Sequence, residues 1–342
     1  MNHLEIKKQI LEKIKQNDNI IIVRHIRPDG DCMGSSIGLR EILRASFPNK
    51  KIYSVGKTRA EYLDFIGAED EIIDKQLYKE SLVIAVDTAT SDRIDDDYFK
   101  DAKEFIKIDH HLAVEDYAEI NYVREDFPAA SCIVVDFYDT FRDELVMPKN
   151  AAIALYVGLT TDTGRFRYRG VGSRVFELAA ILMEHDLDIE TIYAKLYLKD
   201  AGSLKLQGLI YKNFKTTENG VVYMHITQRM MKKYNLSYDS AAALINSLDS
   251  IKGNLIWIFF IDQKDKTIRV RIRSRFVPVV SVGRAYRGGG HPNACGATVH
   301  NKKELKELVK MADNLLKEYK ENNEGWLWEF WSLMMTEYIQ KG

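Results

Sequence analysis

A chain of 342 residues with 46% hydrophobic and 29% charged side chains is long enough for two domains, each with its own core. Only 6 prolines and 20 glycines, beside 18 Tyr and 14 Phe, exclude a disordered or collagen-like polymer. With 49 Lys and Arg against 50 Asp and Glu the net charge is −1, so no global positive field holds long nucleic acid and any polyanion contact is local.

The first 16 residues carry charged and apolar side chains at helical spacing and do not read as a leader peptide. Buried strands are predicted over 20–23, 52–55, 82–86 and 105–108. Helices are predicted over 33–45, 131–141, 151–159 and 173–183. Strands alternating with helices predict an α/β domain on a parallel sheet. Residues 186–209 read as a charged helical connector. A smaller α/β domain then restarts with a strand over 221–226, a helix over 240–248, strands over 254–261 and 267–275, a glycine-rich turn at Gly288, Gly289 and Gly290, and a charged helix over 303–319.

The tail holds Trp326, Trp328 and Trp331, with an apolar stripe through Leu327, Phe330, Trp331, Met334 and Tyr338. Packing on its own domain is the default for such a stripe, a homodimer contact comes second, and membrane docking comes last because Glu329 and Glu337 interrupt it. Cys32, Cys132 and Cys295 are too few and too scattered for a disulfide framework or a zinc pattern, which fits a cytoplasmic protein. The longest apolar runs fall short of the ~18 residues that would span a bilayer.

The chemistry is written at the ends of elements. His25, Asp29 and Asp31 lie in one short loop, H-I-R-P-D-G-D, after the first strand. An Asx-type turn capping the next helix explains that loop equally well when it is taken alone. Asp87, however, ends the run LVIAV, Asp109-His110-His111 ends EFIKI, and Asp162 follows the apolar helix ALYVGLTT. A carboxylate at a buried strand end is unfavourable unless it is paired or binds a cation. Each acid alone reads as a cap or a salt-bridged loop residue. Their convergence reads as a dinuclear site for oxygen- and nitrogen-loving divalent ions.

H-x-x-P-D-x-D, a lone Asp, D-H-H and T-D-T-G, in that order, resemble the four motifs of the DHH-family phosphoesterases. The stretch from Gly288 to Gly296, GGGHPNACG, is similar to the signature of the DHH-associated substrate domain. The resemblance covers roughly residues 15–320, and the layout is most similar to the oligoribonuclease (nanoRNase) and 3′-phosphoadenosine 5′-phosphate (pAp) phosphatase group. It implies a phosphoesterase domain over 1–185, a helical linker over 186–215 and a substrate-binding domain over 216–321, with the aromatic tail over 322–342 outside it. It further implies two Mn²⁺ ions, with Mg²⁺ or Co²⁺ as substitutes. One would sit on His25, Asp29 and Asp87, the other on Asp31, Asp87, His110 and Asp162. Asp109 would orient His110, and His111 would face the substrate phosphate. The reaction implied is hydrolysis by a water that two ions activate.

Arg269, Arg271, Arg273 and Arg275 alternate with Val270, Ile272 and Ser274, so a strand puts the arginines on one face. For Arg269 and Arg275 a solvated edge strand is the simpler reading. Arg273-Ser274 matches the Arg-Ser pair of the family's substrate domain and implies a fork for a second phosphate. The turn at Gly288, Gly289 and Gly290, with His291 beside it, is read as an anion cradle. The family often has a fourth glycine where this chain has Arg287. Arg165, Phe166, Arg167 and Arg169 suit either base stacking or a two-sided strand.

With the two sites expected to face each other across a cleft, the substrates expected are oligoribonucleotides of a few residues, pAp, or linear or cyclic dinucleotides, cleaved to mononucleotides. Long nucleic acid and membrane are not expected partners. The alternatives are an inorganic pyrophosphatase or polyphosphatase, which the glycine-histidine signature disfavours, and a non-catalytic nucleotide sensor, which the complete ligand set disfavours.

Overall fold

Runs such as NIIIV and LVIAV are apolar at every position, and they form the middle of a sheet whose two faces are both covered. The computed structural model describes residues 2–71, 74–168 and 170–323. Two units divide the chain, Met1–Leu198 and Lys199–Gly342. Arg169 and the tryptophan-bearing tail, with every reading made of them, lie outside the described residues.

The first unit runs α1 (His3–Gln16), β1 (Asn19–Val23), α2 (Gly30–Ser46), β2 (Lys51–Val55), α3 (Lys75–Tyr78), β3 (Leu82–Val86), β4 (Glu104–Asp109), β5 (Ile120–Val123), α4 (Ala130–Thr140), α5 (Lys149–Asp162), α6 (Ser173–Met183) and α7 (Ile189–Tyr197). All five strands are parallel, in the order β2-β1-β3-β4-β5. Strand alternation sends Ile20, Ile22, Leu82 and Ile84 into a core with α1, α2, α4 and α5, and Ile21, Val23, Val83 and Ala85 into a smaller one with Tyr78 and Phe99. Helix α1 opens with a capping box between Asn2 and Glu5, which explains why its short amphipathic pattern holds from the first turn.

The second unit runs α8 (Ala201–Asn213), β6 (Lys215–Thr216), β7 (Val221–Ile226), α9 (Gln228–Lys233), α10 (Tyr238–Ala242), β8 (Ile256–Asp262), β9 (Ile268–Ser274), α11 (Val280–Ala285), β10 (Gly289–His291), β11 (Ala294–Val299) and α12 (Lys302–Asn322). Its sheet order is β10-β11-β9-β8-β7-β6, with only β7 and β8 parallel. Leu305, Leu308, Ala312 and Leu316 of α12 cover one face, and Leu206 and Ile210 of α8 pack on the other.

Several elements differ from the sequence reading. Strand β5 is unpredicted because its four residues, INYV, are half-buried at an edge. The connector over 186–209 is two helices, broken where Asp200 caps α8 by accepting from the Ser203 N–H at 2.8 Å. The helix over 240–248 is α10 continued by a 3₁₀ turn, Ala243–Leu248. Strand β9 is interior, so its arginines are not on a solvated edge; Arg271 and Arg273 lie opposite Phe259 and Trp257 and are half-buried. Finally, the glycine-rich turn is an edge strand, because β10 pairs Gly289 with Gly296 and Gly290 with Cys295. No helix among the described residues is long and apolar enough to cross a membrane.

Candidate metal centre

Parallel strands end on the same side of their sheet, and here the strand order reverses between β1 and β3. That reversal leaves a crevice at the carboxyl ends, where open α/β sheets bind ligands. His25 follows β1, Asp87 follows β3, and Asp109 ends β4 with His110 and His111 directly after it. Two helices bring the remaining acids. Asp29 caps α2, accepting from the Cys32 N–H at 3.1 Å, and Asp31 lies in its first turn. Asp162 is the last residue of α5, which runs three residues beyond the predicted end, so it sits on the helix rather than after it.

These side chains meet. The Nε2 of His25 is 3.3 Å from Asp87 Oδ2 and 3.9 Å from Asp29 Oδ2. The Nε2 of His110 is 3.3 Å from Asp87 Oδ1, 3.7 Å from Asp162 Oδ2 and 3.9 Å from Asp31 Oδ2. Asp87 thus touches both imidazoles, one with each oxygen. Asp31 also holds the start of α4, accepting from the Ala130 N–H at 2.5 Å and the Ser131 N–H at 2.8 Å. A carboxylate has lone pairs for both tasks.

The electrostatics describe a site short of positive charge. Burial and then the charge of Asp87 push the Asp31 carboxyl up to about 7. Burial and the neighbouring carboxylates raise Asp29 and Asp162 as well. Burial would lower His25 and His110, yet the Asp87 carboxylate beside them outweighs it and pushes them up to about 12 and about 10. Asp87 itself is held well below the usual carboxylate range against the effect of burial, by His110 and His25. Asp87 Oδ1 and His110 Nε2 are buried with no hydrogen-bond partner. Orphaned buried donors and acceptors among crowded carboxylates are what bound divalent cations satisfy.

Asp109 corrects one assignment. Its Oδ1 bonds Nδ1 of His111 at 2.8 Å, and from His110 it accepts the main-chain N–H, at 2.9 Å, rather than the ring. It therefore orients His111, not the His110 ring. Fully buried Lys107 stands behind it, 3.5 Å from Asp109 Oδ2, and donates to the carbonyls of Ala89 and Glu115 at 2.9 and 3.1 Å. Arg24 anchors the end of β1 in a similar way. It is fully buried, bonded through Nε and Nη2 to Glu69 at 2.9 and 2.6 Å and through Nη1 to Asp95 at 2.7 Å. Neither cation was singled out from sequence, where each is one basic residue at a strand.

One further group was overlooked. Cys32 is buried, and a ligand atom from each of His25, Cys32 and Asp87 lies within 4.8 Å of the others. The sequence reading excluded cysteine because it looked for paired spacing.

The turn after Asp162 is not a strand. Gly164, Arg165 and Phe166 have φ of +56°, +62° and +62°, a left-handed run. Phe166 stacks on Phe176 with centroids 5.2 Å apart, and the Arg165 guanidinium lies 4.9 Å over the Tyr197 ring. Both side chains are thus partnered within the unit.

In the second unit, Arg273 Nη1 donates to the carbonyl of Ile272 at 3.0 Å, and the Ser274 hydroxyl bonds Val277 O and accepts from Asn293 Nδ2 at 3.1 Å. A Cβ on Gly288 would stand 1.9 Å from Gly296 O, and one on Gly290, whose φ is +139°, 2.6 Å from Ala294 O. Close pairing with β11 therefore requires these two glycines. A Cβ on Gly289 would meet nothing within 4 Å. His291 ends the same edge strand. Arg287 bonds Glu304 and the carbonyl of Thr298, a structural ion pair in place of the fourth glycine.

A switch-point cluster of His and Asp, followed by a separate mixed-sheet unit, defines a class. Residues 19–159 match the DHH family, N-terminal domain, and residues 218–318 match the DHHA1 domain. The chain belongs to the DHH family. It is similar to the probable bifunctional oligoribonuclease and PAP phosphatase NrnA of Streptococcus mutans, with 35% identity over 310 residues, covering 91% of this chain and 99% of that one. It is also similar to the bifunctional oligoribonuclease and PAP phosphatase NrnA of Bacillus subtilis, with 32% identity over 315 residues, covering 92% and 100%. Among solved structures, an exopolyphosphatase-related protein from Bacteroides fragilis superimposes with a TM-score of 0.83 at 25% identity, covering 94% of this chain and 98% of that one.

Proposed function

We propose that this chain is a divalent-metal phosphoesterase that hydrolyses short oligoribonucleotides and pAp. The observation that carries the reading is Asp87, a buried carboxylate shared between two histidines, with Oδ1 lacking any hydrogen-bond partner. His25, Asp29 and Asp87 would hold one Mn²⁺, and Asp31, Asp87, His110 and Asp162 the other; Mg²⁺ or Co²⁺ would substitute. Such ions, when bound, make water nucleophilic near neutral pH and offset charge gathering on the phosphate oxygens. Asp109 fixes the His111 ring, and that ring is assigned to the scissile phosphate. The high coverage of relatives named for oligoribonuclease and pAp phosphatase activity supports the substrate class. The three free, buried cysteines suit a reducing cytoplasm.

Arg273, Ser274, Gly288, Gly289, Gly290 and His291 are assigned to a second phosphate or the terminal nucleotide. Gly289 supports this best, because packing does not require a glycine there. An exposed strand edge without a Cβ lets an anion reach a main-chain N–H. Gly289→Ala is expected to leave the melting temperature unchanged and to raise KM for a diribonucleotide on the order of tenfold, the loss of about one hydrogen bond. Parallel thermal melts and initial-rate kinetics check this.

The function itself is tested by comparing rates on a 5′-phosphorylated diribonucleotide, pAp, cyclic di-AMP, pyrophosphate and polyphosphate with Mn²⁺ present. The diribonucleotide and pAp are expected to turn over fastest, with activity lost in chelator and restored by Mn²⁺. Turnover of pyrophosphate or polyphosphate alone would overturn the proposal in favour of a pyrophosphatase or polyphosphatase.

A further inference from the structure

Three buried cysteines share this chain, and two of them are accounted for by packing. Cys132 lies in the main core of the first unit and Cys295 in a core of the second. A free cysteine commonly behaves as a small buried hydrophobe, and these two do so. Cys32 belongs to none of the four hydrophobic clusters, although no part of it is exposed. It sits in the first turn of α2, one residue after Asp31. Its N–H holds Asp29 at 3.1 Å, and its sulfur lies with the ligand atoms of His25 and Asp87, all within 4.8 Å of one another. Asp87 is 2% exposed, and its Oδ1 has no hydrogen-bond partner. The Cys32 thiol donates to the His25 carbonyl at 3.9 Å, and packing alone does not explain a sulfur placed beside the His25 imidazole and the buried Asp87 carboxylate.

We propose that Cys32 is a ligand of the first metal position, completing His25, Asp29 and Asp87, and that it biases this position toward softer divalent ions. The proposal rests on the metal reading given under Proposed function. Thiolate donors favour Co²⁺, Fe²⁺ and Zn²⁺, whereas oxygen donors suit Mn²⁺ and Mg²⁺. In the second position, built from Asp31, Asp87, His110 and Asp162, no cysteine joins the grouped ligand atoms among the described residues, so it keeps the Mn²⁺ preference of an oxygen-nitrogen set. The two positions of one site therefore differ in the metal they select, and Cys32 makes the difference.

The test is a Co²⁺ titration of the metal-free, full-length chain, followed by calorimetry and absorption together. Bound Co²⁺ is expected to give a sulfur-to-cobalt charge-transfer band in the near ultraviolet, alongside the weaker visible bands that nitrogen and oxygen ligands produce. Cys32→Ala and Cys32→Ser should both lose the near-ultraviolet band and keep the visible ones. Cys132→Ser and Cys295→Ser should keep both. In the Cys32 variants affinity for Co²⁺ should fall about 10–100-fold, the range for altered ligand environments, while affinity for Mn²⁺ changes less than threefold on the order-of-magnitude scale of such effects. Co²⁺ that binds the native chain without the near-ultraviolet band overturns this inference and leaves the metal reading standing. A native chain that binds no Co²⁺ or Mn²⁺ overturns both. The native spectrum decides the matter even if the Cys32 variants fold poorly.

Discussion

Asp87→Asn is expected to reduce turnover of a diribonucleotide by at least about a thousandfold with the fold intact. The magnitude follows from losing metal-supplied charge stabilisation of several kcal/mol, at about 1.36 kcal/mol for each factor of ten. Asp87 is singled out because each of its oxygens faces a different histidine, His25 and His110, both at 3.3 Å. It is the carboxylate proposed to bridge the two metal positions, so one substitution is expected to weaken the two together. Asn keeps the shape and loses the charge. It also suits the backbone, because Asp87 has a φ of +52° and Asn is among the side chains that best tolerate the left-handed region. Circular dichroism should therefore match the native chain, while calorimetry with Mn²⁺ shows weakened binding. Near-native turnover in this variant would remove the shared carboxylate from the chemistry.

The central strands and the clustering of His and Asp side chains were legible because both depend on local pattern. A run such as LVIAV is apolar on both faces only where a sheet is covered on both sides, and an acid closing such a run has few stable fates. What sequence hid was direction. Asp109 was assigned to the ring of its neighbour His110, but successive residues of an extended chain point to opposite sides. Asp109 and His111, two apart, share a side and pair at 2.8 Å. The three glycines from Gly288 carry the composition of a turn, and only their register with β11 makes them a strand. The interior position of β9 likewise comes from partners distant in sequence, which no local pattern encodes. Cys32 escaped because its neighbours, His25 and Asp87, reach it through the fold and not through spacing.

A glycine pattern that escaped notice yields the second large expected effect. Gly30, Gly34 and Gly38 recur every four residues along α2, one face of a helix. A Cβ on Gly34 would fall 2.5 Å from Ala154 O and 2.8 Å from Gly158 N, main-chain atoms of α5 that cannot rotate away. Gly30 meets Thr161, and Gly38 meets Leu155, on the same helix. The two helices thus touch backbone to backbone, and each carries a candidate metal ligand, Asp31 on α2 and Asp162 on α5. Gly34→Ala is expected to destabilise the chain by about 1–3 kcal/mol through overpacking, partly offset by about 1 kcal/mol of helix propensity. Prying α2 from α5 also moves Asp31 from Asp162, and a misplacement on the order of 1 Å costs on the order of a hundredfold in rate. Gly208→Ala in α8 is the control, because a Cβ there meets nothing within 4 Å and gains helix propensity alone. Urea unfolding and turnover should therefore both fall for Gly34→Ala and neither for Gly208→Ala. Native-like turnover in a destabilised Gly34→Ala chain would show that the helix contact supports the fold without setting the spacing of the carboxylates.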